Sequence, residues 1–339
     1  MTDPVYAASE SRYEQMPYRR CGRSGVLLPA LSLGLWHNFG SFKPFQEIKA
    51  MAHYAFDHGI CHFDLANNYG PTYGTAEENF GHLMAASLKP YRDELFISTK
   101  AGWDMWPGPY GNWGSRKYLM ASLDQSLKRM NLDYVDVFYS HRYDPATPLE
   151  ETIQALVDIV RQGKALYAGI SRYPTPKAAE AFRYLAERDV PCLLYQDRYN
   201  IIDRAPAEAG QLDLSWKNGT GFISFSPLQQ GLLTNRYLNG IPADSRMARN
   251  TSLKQSVLTE TVLESLRGLD AIAQRRGQSL AGMTLSWLLR DERVTSVIIG
   301  ASSVAQIEDN LKALDFLSFS EEELQEIERL SVRIRESGI

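Results

Sequence analysis

Strand-like and helix-like patterns alternate along this chain, and that alternation limits its fold more than any other feature. Short apolar runs of strand character recur at Leu31–Leu33, Ile60–Asp64, Leu95–Lys100, Val135–His141, Leu166–Ser171, Cys192–Gln196, Phe222–Phe225 and Val294–Gly300. Helical patterns separate them, at Gln46–His58, Ala76–Ser87, Arg116–Met130, Leu149–Gln162, Pro176–Arg188 and Glu208–Asn218. Two more, Glu260–Arg276 and Leu280–Arg290, precede the last strand, and a terminal helix opens at Ser320 with the capping box Ser320–Glu323. The helix over Ala76–Ser87 is expected to start from Thr75, with Glu78 completing a capping box. Strands joined by crossover helices make a parallel sheet. Eight of them in 339 residues fit a closed (β/α)8 TIM barrel. A doubly wound dinucleotide fold would show G-x-G-x-x-G after an early strand. Here the first strand runs into Gly34-Leu35-Trp36-His37-Asn38 instead.

Tyr18 to Leu28 reads as an N-terminal β-hairpin turning at Cys21-Gly22-Arg23-Ser24-Gly25. After strand seven, a long loop spans Gln229–Thr259 without strand pattern. Loops of that length are usually functional or mobile. No linker or internal repeat is visible, so one domain is expected over residues 1–339, with residues 1–16 as an N-terminal tail.

Composition narrows the class. The chain is 44% hydrophobic and 22% charged, as a globular protein with a sizeable core should be. A net charge of -4 with no basic cluster argues against a nucleic-acid partner. No apolar run is long enough to span a bilayer, and the first twelve residues do not read as a signal peptide. Cys21, Cys61 and Cys192 lack disulfide or zinc spacing, so the reducing cytoplasm is the expected compartment.

In a barrel of this kind, chemistry sits at the carboxyl ends of the strands and on the loops beyond. Asp64, Lys100, His141, Ser171 and Gln196 close successive strand candidates, and Tyr69 follows Asp64 by five positions. A buried Lys100 needs an anionic partner, and Asp64 is one strand away. Held charged by that partner, Lys100 is expected to lower the phenol of Tyr69 below its usual value of about 10. His141 would orient a carbonyl oxygen against the same hydroxyl. The set has no evident nucleophile. It suits protonation of an oxygen while a hydride arrives from a reduced nicotinamide. A metal-dependent hydrolase finds no ligand cluster, since His62 is expected on the strand face opposite Asp64, and no metal is expected.

From Tyr18 to Asn310 the sequence resembles the aldo-keto reductases, and the ordered residues Asp64, Tyr69, Lys100 and His141 match that family's catalytic tetrad. The resemblance implies Tyr69 as general acid and direct hydride transfer from NADPH, with NADH also possible in the family. It implies cofactor contacts from Trp36, Asp64, Ser171, Arg172 and Gln196, a stacking Phe225, and a pyrophosphate loop Ser226-Pro227-Leu228-Gln229 with Gly231. It adds Arg236 and Arg246 from the long loop, and a 2′-phosphate and adenine segment at Gly300, Ser302, Gln306, Asp309 and Asn310. Ala301 stands where many relatives carry a basic residue, and Arg236 where many carry Lys. Substrate contacts are implied for Trp36, Tyr69, Trp103 and His141.

Two groups within the family are nearest: potassium channel β subunits, and bacterial reductases of L-glyceraldehyde 3-phosphate. The run Trp103-Asp104-Met105-Trp106-Pro107-Gly108-Pro109-Tyr110-Gly111, then Gly114-Ser115-Arg116-Lys117, resembles the bacterial group. His141 stands where the channel group has Asn. The expected function is therefore NADPH-dependent reduction of small aldehydes, L-glyceraldehyde 3-phosphate among them. The competing expectation is a cofactor-binding regulatory subunit with incidental turnover. Arg116, Lys117 and Arg142 are the candidates to meet a substrate phosphate. The resemblance also implies a homo-oligomer, tetramer or octamer.

Overall fold

A computed structural model describes residues 6–243, 245, 247–248 and 253–338. Eight parallel strands close into a barrel: Leu31–Gly34 (β3), His62–Asp64 (β4), Phe96–Ala101 (β5), Val135–Ser140 (β6), Ala165–Ser171 (β7), Cys192–Arg198 (β8), Gly221–Phe225 (β9) and Val294–Ile299 (β10). β10 pairs with β3 on one side and β9 on the other, which closes the ring. Every residue of β6 and β10 is buried, as strands covered on both faces should be. All eight strand candidates are therefore strands of one barrel.

The crossovers are Phe45–Asp57 (α1), Thr75–Leu83 (α2), Arg116–Met130 (α3), Leu149–Arg161 (α4), Thr175–Ala186 (α5), Ala205–Glu208 (α6), Gln211–Asn218 (α7), Glu260–Arg275 (α8) and Leu280–Leu289 (α9). Val304–Leu311 (α10) and Glu321–Glu336 (α11) follow the last strand. α3 shows why such a segment is helical. Ser115 accepts from the Tyr118 amide, Leu119, Leu123 and Met130 face the core, and Asn131 ends the helix in a left-handed conformation. The Ser320–Glu323 capping box at α11 is present in both halves.

Three local expectations are corrected. The Glu208–Asn218 pattern is two helices, because Gly210 takes a φ of 74° between α6 and α7. Thr75 does not cap α2. Gly74 is the N-cap, and the Thr75 hydroxyl donates instead to the Thr72 carbonyl at 2.7 Å. The helix over Ala76–Ser87 changes to a wider π-helical turn at Met84–Leu88.

Tyr18–Arg20 (β1) and Leu27–Pro29 (β2) form the antiparallel hairpin. Cys21 and Leu28 pack against Val137, Leu194, Ile223 and Ile298, side chains from several barrel strands. The Arg23 amide donates to Gly219 O at 3.1 Å, just before β9 begins. The hairpin thus plugs the end where the strands start, which leaves the opposite mouth open for a site. From Tyr6 onward the tail runs along the outside, with Tyr6 donating to Asp57 and Arg12 to Glu94. The long loop carries short 3-10 turns at Gln229–Gly231, Asn235–Tyr237 and Gln255–Val257, with Leu232, Leu233 and Tyr237 buried. Among the described residues, no helix is long and apolar enough to cross a membrane.

Candidate functional site

The site is built where β4, β5, β6, β7 and β8 end. Parallel pairing in register sets Asp64 beside Ser98, Lys100 beside Tyr139, and Ser171 beside Gln196. Lys100 is fully buried, and its Nζ donates to Asp64 Oδ2 at 2.7 Å and to the Leu65 carbonyl at 2.5 Å. Asp64 is held from three sides, because Ser98 Oγ donates to its Oδ1 at 2.8 Å and Gln196 Nε2 at 3.1 Å. β4 and β8 lie opposite each other in the ring, so the Gln196 contact spans the barrel interior.

Tyr69 and His141 complete the cluster. The Tyr69 hydroxyl lies 3.5 Å from Lys100 Nζ, the outer limit of a hydrogen bond. The rings of Tyr69 and His141 meet edge to face at 5.9 Å. His141 Nδ1 is buried and has no hydrogen-bond partner among the described residues. Asp64, Tyr69, Lys100 and His141 therefore cluster at the carboxyl ends of the strands.

The electrostatics reverse one expectation. The phenol of Tyr69 is held well above its usual value, first by burial and then by the negative charge of Asp64, with Arg172 pulling the other way. Lys100 does not acidify it in the resting site. Burial pulls Lys100 itself below the ordinary lysine value, against the attraction of Asp64. Burial, then Lys100, Arg172 and Arg142, hold His141 well below the ordinary imidazole range. The pocket thus presents a neutral phenol and a neutral imidazole.

A second correction concerns His62. It shares the face of Asp64, since residues two apart on a strand point the same way. Its ring bonds Ser32 Oγ at 2.8 Å and Ser98 Oγ at 3.0 Å, and so touches Asp64 through Ser98. Burial drives it down to about 4. Ser98 is a residue of the cluster that strand-end position alone does not single out. It stands two before Lys100 on β5, and the period of two was the signal that placed it beside the pair.

The other anticipated positions line the same mouth. Trp36, 43% exposed, sits after β3 with its ring 6.2 Å from Tyr69. Trp103 follows β5, its ring 6.2 Å from His141. Arg172 follows β7 with a φ of 55°, and its amide donates to Gln196 O at 3.1 Å. Phe225 ends β9, in register with Arg198. Ser226, Gln229 and Gln230 beyond it all have positive φ, and a loop of non-glycine residues held so is strained. Pro227 is buried and Leu228 half-buried in that loop, and Gly231 closes it at a φ of 98°.

Gly300 and Ser302 precede α10, whose N-cap is Ser303. Gln306 receives the Ser302 amide at 2.8 Å, Asp309 receives Ser279 Oγ at 2.9 Å, and Asn310 is buried. Lys43 Nζ donates to Ser302 O at 3.0 Å, a contact from the β3 loop that the sequence did not signal. Arg236 is exposed on its 3-10 turn, and Arg246 lies outside the described residues. Of the three candidates for a substrate phosphate, only Arg142 is at the mouth. Arg116 pairs with Asp158 on the helical shell, and Lys117 lies over the Tyr110 ring at 5.0 Å.

Ser171 Oγ tests whether a nicotinamide fits. It is buried with no partner among the described residues. An unpaired buried hydroxyl costs about 1–3 kcal/mol unless a ligand completes it. Beside Gln196 it is suited to a carboxamide, which both accepts and donates hydrogen bonds.

A closed parallel barrel that brings a phenol and an imidazole beside a buried Lys–Asp pair at the ends of its strands fits an oxidoreductase. The chain belongs to the aldo/keto reductase family, whose model matches residues 30–332. It is 57% identical over 329 residues to L-glyceraldehyde 3-phosphate reductase of Escherichia coli (strain K12), covering 96% of this chain and 95% of that one. It is 37% identical over 306 residues to a probable voltage-gated potassium channel subunit beta of Arabidopsis thaliana, covering 89% of this chain and 92% of that one. A thermostable aldo-keto reductase crystallised with the inhibitor epalrestat superposes with a TM-score of 0.71 at 31% identity, over 93% of this chain and all of that one.

Proposed function

We propose that this enzyme reduces small aldehydes with NADPH, L-glyceraldehyde 3-phosphate being the foremost candidate substrate. The observation that carries the reading is the buried Lys100–Asp64 pair with the Tyr69 hydroxyl 3.5 Å from its ammonium. The relative at 57% identity, which bears the name of that reductase, supports the substrate. The channel-subunit reading draws on relatives at 37% and has less support.

Ser171 and Gln196 would hold the nicotinamide carboxamide, with Phe225 against the ring. Residues 226–231, Arg236 and the segment from Gly300 to Asn310 would hold the rest. When bound, the cofactor supplies the hydride. His141, kept neutral by burial and three nearby cations, donates a ring N–H to the carbonyl oxygen without adding charge. Tyr69 gives its hydroxyl proton to that oxygen as negative charge develops on it. An alkoxide is far more basic than a phenolate, so a phenol with a raised pKa still transfers its proton downhill. The raised value keeps the proton in place until it is needed. Lys100 then faces the new phenolate across a short gap in a buried pocket, where the attraction is strong. Asp64, fixed by Ser98 and Gln196, keeps the ammonium where that attraction is felt.

The test is aldehyde-dependent oxidation of NADPH, and of NADH, by purified protein. Turnover with glyceraldehyde or its 3-phosphate, faster with NADPH, is expected. Tight nucleotide retention with no turnover on any carbonyl would overturn the reading.

A further inference from the structure

Arg142 follows the mouth histidine directly, and its guanidinium carbon lies over two indole rings. Its Cζ is 3.7 Å from the Trp103 ring and 3.5 Å from the Trp113 ring. Nε donates to Gly102 O at 2.8 Å and Nη2 to Asn112 Oδ1 at 2.9 Å. Among the described residues no hydrogen bond uses Nη1, and no carboxylate lies within ion-pair distance of this side chain. Asp104, whose Oδ1 accepts from Asn112 Nδ2, and Asp144 act on its charge from beyond ion-pair distance. Two aromatic rings and two fixed donors leave the guanidinium one orientation, with one donor edge unspent. Holding a cation that way has a use when an anion completes it.

A second guanidinium faces the same indole. Arg172 Cζ is 5.5 Å from the Trp103 ring, and its side chain makes no ion pair among the described residues. Trp103 in turn meets the His141 ring edge to face at 6.2 Å. Both cations, with Lys100, act on His141, and no carboxylate is among the charges that act on it. The part of the mouth that would receive a carbonyl is therefore bordered by positive charge on the Trp103 side.

We infer that Arg142, held over Trp103 and Trp113 and assisted by Arg172, is the anion subsite that selects a phosphorylated aldehyde over the free one. This rests on the aldehyde-reductase reading and adds the residue that sets its substrate preference. The phosphate accepts from the spare edge of Arg142, and the carbonyl at the other end of a three-carbon chain reaches Tyr69 and His141.

The experiment compares kcat/KM for L-glyceraldehyde 3-phosphate and L-glyceraldehyde, with NADPH saturating, in wild type, Arg142→Met and Arg142→Lys. In wild type the phosphate ester is preferred at least tenfold. In Arg142→Met that ratio falls at least tenfold, through a higher KM for the ester, and Arg142→Lys recovers part of it. Inorganic phosphate inhibits wild type competitively against L-glyceraldehyde and loses that effect in Arg142→Met. A ratio unchanged in Arg142→Met, both substrates slowing alike, would mean that Arg142 only packs the tryptophan loop, and the inference fails. Should the Met variant not fold, the wild type decides alone: no preference for the ester, or no competition by phosphate, overturns the subsite. Wild type that oxidises NADPH with neither aldehyde sinks the reductase reading itself, and the subsite with it.

Discussion

At the scale of single residues, Tyr69 is the one whose chemistry depends most on what surrounds it. Its place in the site was readable, because an acid at a strand end and a phenol on the next loop point into one mouth. The direction of its shift was not readable. Burial is set by the whole barrel, and here it outweighs the nearby ammonium. This has a consequence for pH. The phenol loses its proton only above its raised value, and the imidazole of His141 gains one only below its lowered value. Neither group changes charge between about pH 6.5 and 10, so kcat/KM for a neutral aldehyde is expected to show no acid limb near neutrality, and its alkaline limb is expected to come from Lys100, whose ammonium burial holds below the ordinary lysine value. A steady-state profile checks this, and a midpoint near 7 contradicts it. Lys100→Met leaves Asp64 buried without its cation, which should cost about 3–5 kcal/mol of stability in a denaturant titration. Asp64→Asn added to that variant should recover part of the loss, because the uncompensated charge is gone.

Elements carry a different kind of information. All eight strands were readable because short apolar runs between helices have few other uses. Helix ends were less so. The division at Gly210 depended on one positive φ, and the start of α2 on a glycine rather than on Thr75. His62 lies on the Asp64 face of β4 rather than the opposite one, because side chains alternate with a period of two. The correction leads to a prediction about stability. Above pH 6.5 the imidazole is neutral whether folded or unfolded. Between the unfolded value near 6.5 and the folded value of about 4, only the unfolded chain takes the proton, so stability falls as pH falls. The full penalty, about 3 kcal/mol, is reached below the folded value. Denaturant midpoints at pH 7 and pH 4.5 should converge in His62→Gln relative to wild type. The hairpin gives a second case. A Cβ on Gly22 would stand 2.0 Å from Gly219 O at a φ of 52°, so Gly22→Ala should lower stability by about 2 kcal/mol or more without touching the mouth. Thermal unfolding measures it, with kcat as the control.

Across the whole molecule, closure of the barrel is what makes the site. Asp64 and Gln196 are far apart in sequence, and only a ring of eight strands brings their side chains to 3.1 Å. That meeting was not readable from strand order alone, because register and shear decide which layer each side chain enters. The tryptophan loop is similar. Its residues were conspicuous, but the placement of Arg142 over Trp103 and Trp113 depends on a fold-wide arrangement. A plug at the strands' starting end leaves the chemically equipped residues together at the opposite mouth. The most direct measurement of that account is pre-steady-state NADPH oxidation by Tyr69→Phe, beside nucleotide affinity by fluorescence titration. Removal of the phenolic proton should slow hydride transfer by about 10²–10⁴-fold while NADPH affinity stays within about twofold. Near wild-type transfer in Tyr69→Phe would contradict it, for the proton would then be coming from somewhere else.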